Sequence, residues 1–286
     1  MLDKIRLIRK YPHVIPRHIN RLYHSRLGTQ PYNANGINII KQDWDRLIIL
    51  DACRYDVFVD QNDLPGTTRK VQSRAGTTKE FLESNFSDKN HHDTIYVSSN
   101  SWFFQLKDEL GTEFFQSQFT ESDREAVDTA IELSKEHPNK RLITHLVNPH
   151  HPYRGETAER VFTDQGHHLF DKMTAGDHNA TTAELRVAYE ETLEYGLDLV
   201  IELFKSFSGR MVVTADHGEL LGDKVGPIPM VDYGHYSKYW VDPLVIVPWH
   251  VYETGERPII SSDSPITQEK ISDKMVEDRL EALGYR

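Results

Sequence analysis

A chain of 286 residues with 38% hydrophobic and 27% charged side chains has the size and composition of one large globular α/β domain, and too little glycine and proline for a collagenous or low-complexity polymer. Its net charge of −11 argues against a general nucleic-acid binder, since the phosphates of such a partner have to be met by Lys and Arg. The single cysteine, Cys53, excludes an intramolecular disulfide and points to a reducing, cytoplasmic setting, and no apolar run approaches the about 20 residues that span a bilayer.

The first 28 residues carry Lys4, Arg6, Arg9, Lys10, Arg17, Arg21 and Arg26 against Asp3 alone, a net of +6 that leaves −17 for the rest. Ile5, Ile8, Val14, Ile15, Ile19, Leu22 and Tyr23 interleave with these charges, with Pro12 and Pro16 between them. The pattern predicts a pair of short helices packed on the acidic body, or else a peripheral contact with an anionic partner or membrane. Leu47-Ile48-Ile49-Leu50 then reads as a buried strand that stops at Asp51. Ile95 to Val97, Leu142 to Val147, Met211 to Thr214 and Leu244 to Val247 read as further strands.

Helices fall between the strands. Ser122 with Glu125 and Thr181 with Glu184 have capping-box spacing. The second pair opens a long amphipathic helix with Leu185, Tyr189, Leu193, Leu197, Val200 and Phe204 at three- or four-residue intervals, stopped by Gly209. Ile266 to Leu283 reads as a last helix before Gly284. Strands alternating with helices predict a mostly parallel central sheet with helices on both faces. With no repeat and no long linker, the expected organisation is a basic helical segment, residues 1–40, packed on one α/β domain, residues 41–286.

In such a sheet, ligands collect beyond the carboxyl ends of the strands. Asp51-Ala52-Cys53-Arg54-Tyr55-Asp56 follows the first strand. His145 lies in the third, which leads into Asn148-Pro149-His150-His151-Pro152-Tyr153, and Ala215-Asp216-His217-Gly218-Glu219 follows the fourth. His235 precedes the fifth. Carboxylates and imidazoles delivered to one edge suit a divalent metal with mixed oxygen and nitrogen ligands, and Gly218 allows a turn after the adjacent pair Asp216-His217.

Leu50-Asp51, the run from Thr214 to Glu219, His235 and the run from Pro243 to Pro248 together resemble the alkaline phosphatase and sulfatase superfamily, and most closely its sulfatase-like hydrolases. Those hydrolases have a His-x-Pro-Tyr element similar to His150-His151-Pro152-Tyr153. The matching segments run in the superfamily's order from about Trp44 to Pro248. The resemblance implies an alkaline phosphatase-like fold and one or two divalent ions (Zn, Mn, Ca or Mg). It implies a nucleophile at a helix start between the first two strands. The Cys/Ser-x-Pro-x-Arg motif of type I sulfatases is absent, because Cys53 is followed by Arg54-Tyr55-Asp56. A threonine nucleophile, as in phosphatase, phosphonate hydrolase and phosphoglycerol transferase relatives, fits better. Thr78 is the first choice, with Thr77 and Ser73 as alternatives.

On this basis Asp51, Asp216, His217 and His235 are expected to bind metal, and Arg54, His145 and His150 to contact substrate. A helix N-terminus at Thr78 would add backbone donors for anionic oxygens, and metal would lower the hydroxyl's pKa. The expected activity is hydrolysis of phosphate, phosphonate or sulfate esters through a covalent intermediate. The alternatives are head-group transfer to a glycan or lipid, and a catalytically degenerate binding protein. The expected partner is a small anionic ester or a glycan- or lipid-linked substrate, with no nucleic acid. Asp164 and His168 copy the spacing of a second-metal pair but are read as coincidence. His91-His92 and His167-His168 read as solvated loops, and Asp198 as the polar face of the long helix.

Overall fold

A computed structural model describes residues 14–27, 30–163, 165 and 169–266. In chain order its elements are α1 (Val14–Leu27), a 3-10 turn (Ile39–Lys41), β1 (Arg46–Leu50), α2 (Tyr55–Gln61), β2 (Thr67–Gln72), α3 (Thr78–Phe86) and β3 (Asn90–Ser98). There follow α4 (Trp102–Leu110), β4 (Glu113–Phe119), α5 (Asp123–Glu136), β5 (Arg141–Leu146), α6 (Glu156–Val161), α7 (Leu169–Ala175) and α8 (Thr182–Ser206). The remaining elements are β6 (Gly209–Ala215), β7 (Leu220–Val225), β8 (Met230–Gly234), α9 (Asp242–Val245) and β9 (Ile246–Thr254).

Seven strands form one sheet in the order β2-β9-β6-β1-β5-β3-β4, with β7 and β8 paired apart from it as a hairpin. Every neighbouring pair is parallel except those of β9, which runs antiparallel to β6 and β2. The central strand β1 is buried at every position, so the sheet is covered on both faces. The helices fall into two touching groups, α2, α5 and α6 against α8, and α3 against α4 and the 3-10 turn. Leu47, Ile48, Ile49 and Leu50 have no exposed surface, and burying each contributes about 1.5–3 kcal/mol.

The five apolar runs all contribute to the sheet, with one shift. Pro243 sets the first turn of α9, so Leu244 and Val245 are helical and the last strand begins at Ile246. The edge strands β2 and β4 carry no continuous apolar run: only Val71 is buried in β2. An edge strand packs on fewer neighbours and needs fewer apolar residues. Thr181 and Glu184 form a full capping box, whereas Glu125 accepts from the Glu121 amide and leaves Ser122 capping from one side. The long helix ends at Ser206, and Gly209 opens β6 instead of stopping the helix. Its φ is 93°, and a Cβ there would lie 2.6 Å from Asp45 Oδ2.

Pro16 does not interrupt α1. It sits in the first turn, where its missing N–H would have had no helical acceptor. His91 and His92 belong to β3 and not to a loop: the His91 ring is buried and stacks on Phe114 at 5.0 Å. Asp198 is exposed on α8. The Asp164–His168 spacing, His167-His168, the first half of the basic segment and all but the first residue of the expected last helix lie outside the described residues.

Candidate functional site

Leu50 of β1 is in parallel register with Ala215 of β6 on one side and Leu146 of β5 on the other. The next residues along β1 and β6, Asp51 and Asp216, therefore leave the sheet side by side, both without exposed surface. Each carboxylate spends one oxygen on the protein. Asp51 Oδ2 accepts from Asn100 Nδ2 at 2.7 Å, and Asp216 Oδ1 accepts from the Ala52 and His217 amides at 3.0 and 2.8 Å. The other two oxygens, Asp51 Oδ1 and Asp216 Oδ2, are buried with no hydrogen-bond donor. Ala52 reaches its position with a left-handed φ of 60°, a conformation costing roughly 1–2 kcal/mol in a non-glycine residue.

His217 closes the space between them. Its Nδ1 lies 2.7 Å from the Gly218 carbonyl, which fixes the proton there and leaves Nε2 with a lone pair. That Nε2 lies 3.4 Å from Asp51 Oδ1, 3.4 Å from Asp216 Oδ2 and 3.3 Å from Thr78 Oγ1. Gly218 is needed for a reason other than a turn: a Cβ there would lie 2.1 Å from the Pro243 carbonyl oxygen. His145, its Nδ1 2.7 Å from the Tyr96 hydroxyl, brings an unpartnered Nε2 to 3.9 Å from Asp216 Oδ2. Two carboxylate oxygens and the lone pair of His217 Nε2 crowded into a buried site are mutually repulsive without a cation. The donor set of two carboxylates, an imidazole and a hydroxyl fits a divalent metal.

Three hydroxyls compete for the nucleophile's place, and their partners differ. Ser73 Oγ donates to the main-chain oxygen of Asp216. Thr77 is the N-cap of α3, its Oγ1 accepting from the Glu80 amide at 3.4 Å. Thr78 is the first residue of the helix, and its hydroxyl faces His217.

A second group lies beside the first. One ligand atom each from His150, Glu219 and His235 falls within 4.8 Å of the others. His235 Nδ1 is 3.1 Å from Glu219 Oε1, and the His235 ring is centred 4.4 Å from that of His217. Burial pushes Glu219 up to about 7 against the pull of His150, His217 and Arg54. Burial also lowers His145 to about 4, His150 to about 3 and His235 to about 4, so these three imidazoles are neutral at pH 7 and able to act as ligands, and it lowers His217 against the pull of Asp216. Burial, then the neighbouring Asp216 and Glu219, raise Asp51 well above the usual carboxylate range. Burial acts the same way on Asp216, but His217, His145 and the Ala52 amide outweigh it and hold Asp216 low.

The structure thus gathers Asp51, Asp216, His217 and Thr78 around one space, with His145 at its edge. It groups His235 with His150 and Glu219. Arg54, expected to face substrate, turns its guanidinium to the protein: Nε and Nη2 reach Asp56 at 2.9 and 2.7 Å, and Nη1 reaches Asp223 at 2.6 Å and the Glu219 carbonyl at 3.0 Å. Glu219 and Asn100 carried no assigned role in the sequence. Asn100 follows the end of β3, so inspection of the polar residues after every strand would have found it.

No protein-family model matches the chain, and no curated protein does. Solved structures do match. The C-terminal periplasmic domain of EcEptC from Escherichia coli, in complex with Zn, is 16% identical with a TM-score of 0.46, over 76% of this chain and 75% of that one. The C-terminal periplasmic domain of phosphoethanolamine transferase EptC from Campylobacter jejuni is 15% identical with a TM-score of 0.47, over 72% and 78%. A protein in the alkaline phosphatase superfamily from Vibrio parahaemolyticus is 15% identical with a TM-score of 0.38, over 80% and 64%.

What the site can do follows from its own side chains. Cys53 is buried, which protects a free thiol whichever compartment surrounds it. No helix among the described residues is long and apolar enough to cross a membrane.

Proposed function

We propose that the chain is a divalent-metal-dependent enzyme that takes a phosphoryl-type group from an anionic ester onto Thr78 and passes it to water or an alcohol. The observation that carries this is the meeting of Thr78 Oγ1, His217 Nε2, Asp51 Oδ1 and Asp216 Oδ2 in one buried space. Those four atoms would hold the metal, which, when bound, lowers the hydroxyl's pKa and offsets negative charge on the transferring group.

The remaining chemistry belongs to the chain. Thr78 Oγ1, its proton given up to solvent before the ester binds, attacks the phosphorus as the alkoxide while the bond to the leaving oxygen breaks on the opposite side. Glu219, poised near 7, gives its proton to that oxygen, and its contact with His235 steers the carboxyl. In the second step water or an alcohol attacks the phosphothreonine, Glu219 takes the incoming proton, and Thr78 is released. As the first residue of α3, Thr78 lies at the positive end of the helix, which favours negative oxygens on the group it receives.

The test is turnover of aryl phosphate, phosphodiester, phosphonate and sulfate esters by the metal-loaded protein, with and without an alcohol acceptor. Thr78→Ala should keep its metal and lose activity on the order of a thousandfold or more, and Thr78→Ser should retain part of it. Full activity in Thr78→Ala would reject the threonine nucleophile. Metal binding without turnover of any ester, with or without the acceptor, would favour the degenerate binding protein.

A further inference from the structure

Helix α1 is inverted relative to an ordinary surface helix. Its polar side chains face the protein: Arg17 Nε donates to the Val231 carbonyl at 2.7 Å, and Asn20 Nδ2 donates to the carbonyls of Val225 and Ile228 at 3.0 and 2.7 Å. Arg21 lies 3.4 Å from Asp232 and 3.6 Å above the Tyr236 ring, and the His24 ring meets Tyr239 edge-on at 4.5 Å. Its apolar side chains face outward, with Ile15, Ile19 and Tyr23 exposed by 43, 46 and 47%. Their four-residue spacing places them in one stripe along the helix. Amphipathic helices ordinarily bury such a stripe, yet here the anchors fix α1 so that the stripe meets the surroundings.

We propose that α1, with the basic residues that precede it, seats the protein on an anionic lipid surface. Ile15, Ile19 and Tyr23 enter the boundary between head groups and acyl chains, as amphipathic interfacial helices do. Charge favours this occupant. Residues 1–28 carry +6, or +4 once Arg17 and Arg21, which face the protein, are set aside, against −17 for the remainder, so an anionic bilayer attracts the end that bears the stripe and repels the body. A second copy docked through the same face would bring two +6 segments together, against the charge. One short stripe is also small beside the roughly 800 Å² per partner of a stable protein interface, whereas a bilayer needs no matched shape. Val231 and Asp232, which anchor α1, lie in β8, and that strand leads straight into His235. Docking would therefore favour esters carried on lipid head groups, a consequence that rests on the function proposed above; docking itself does not.

The test is co-sedimentation of the full chain with vesicles of phosphatidylcholine alone or mixed with phosphatidylglycerol. Binding to the mixed vesicles is expected, weakening as salt rises. Ile15→Glu/Ile19→Glu, and the uncharged Ile15→Ser/Ile19→Ser, should each bind roughly tenfold or more weakly. Both should keep the wild-type melting temperature and the wild-type turnover of a water-soluble ester, and Ile259→Ser, at a residue 86% exposed elsewhere, should bind like wild type. Absence of vesicle binding, or wild-type binding by both double variants, would overturn the proposal. So would a wild-type dimer that the double variants convert to monomer.

Discussion

The Thr78 hydroxyl and Nε2 of His217, separated by 139 positions in the chain, lie 3.3 Å apart in a space that also holds two unpartnered carboxylate oxygens. The Gly218 carbonyl keeps the His217 proton on the other side of the ring. The hydroxyl thus faces acceptors only, the environment in which a metal ion both neutralises the cluster and activates the oxygen.

Metal should therefore stabilise the folded chain. Protein stripped by a chelator is expected to melt lower than protein reloaded with Zn²⁺ or Mn²⁺, by about 2.7 kcal/mol at a free metal concentration a hundred times Kd. Asp216→Asn should abolish most of that gain. Calorimetric titration is expected to give one equivalent; two equivalents would assign His150, Glu219 and His235 to a second ion in place of proton transfer.

Glu80 joins the start of α3 to the segment after His235. Its carboxylate accepts from the Gly76 amide at 2.9 Å, from Ser237 Oγ at 2.8 Å and from the Lys238 amide at 2.6 Å, where Lys238 holds a left-handed φ of 57°. Glu80→Ala leaves the buried Gly76 amide unpaired and frees the more exposed Ser237 and Lys238 donors, at a loss of about 1–3 kcal/mol. Because the contact ties the helix start that bears Thr78 to the segment after His235, kcat should fall more than KM rises, with Glu80→Gln intermediate. Unfolding curves and steady-state kinetics on the same samples separate the two effects.

Arg54 is held by Asp56 and Asp223 and braces the Glu219 carbonyl. Arg54→Ala should destabilise the protein by about 1–3 kcal/mol, because the buried Glu219 carbonyl loses its donor while Asp223 keeps Arg186 at 3.3 Å. If the guanidinium instead contacts substrate, the variant will keep its stability and raise KM, which urea titration beside kinetics would show.

His91 makes stability depend on pH. Burial, against a favourable pull from Asp93, lowers it from 6.5 to about 4. Between those values the unfolded chain takes up a proton that the folded chain refuses, so stability falls as pH is lowered from 6.5 toward 4, by up to about 3 kcal/mol. His91→Phe, which suits the stack on Phe114, should flatten that slope relative to wild type in urea titrations at pH 4.5 and 7.

Much of the sheet was legible because its centre is buried on both faces and so written as unbroken apolar runs, of which Leu47 to Leu50 is the clearest. Edge strands escaped for the same reason: Thr67 to Gln72 packs on one side and needs no such run. His91 was misread because a polar residue type was taken for a solvated one, although an imidazole among aromatic rings packs as one of them.

The sequence by itself determined which residues stand at the strand ends, since a polar residue after an apolar run marks where the chain leaves the core. It thereby named Asp51, Asp216 and His217 as candidates, and the resemblance to the superfamily added Thr78 at a helix start. Tertiary structure decided which of them meet. Strand adjacency and register, Leu50 against Ala215, put Asp51 beside Asp216; the Thr77 cap left Thr78 to His217; and Asp56 with Asp223 turned Arg54 away. It also decided that α1 turns Arg17, Asn20 and Arg21 to the protein and exposes its apolar stripe. Local spacing fixes which side chains share a helix face or a strand end, but the partner each one finds comes from segments over a hundred residues distant, whose pairing is set by how the whole sheet is assembled.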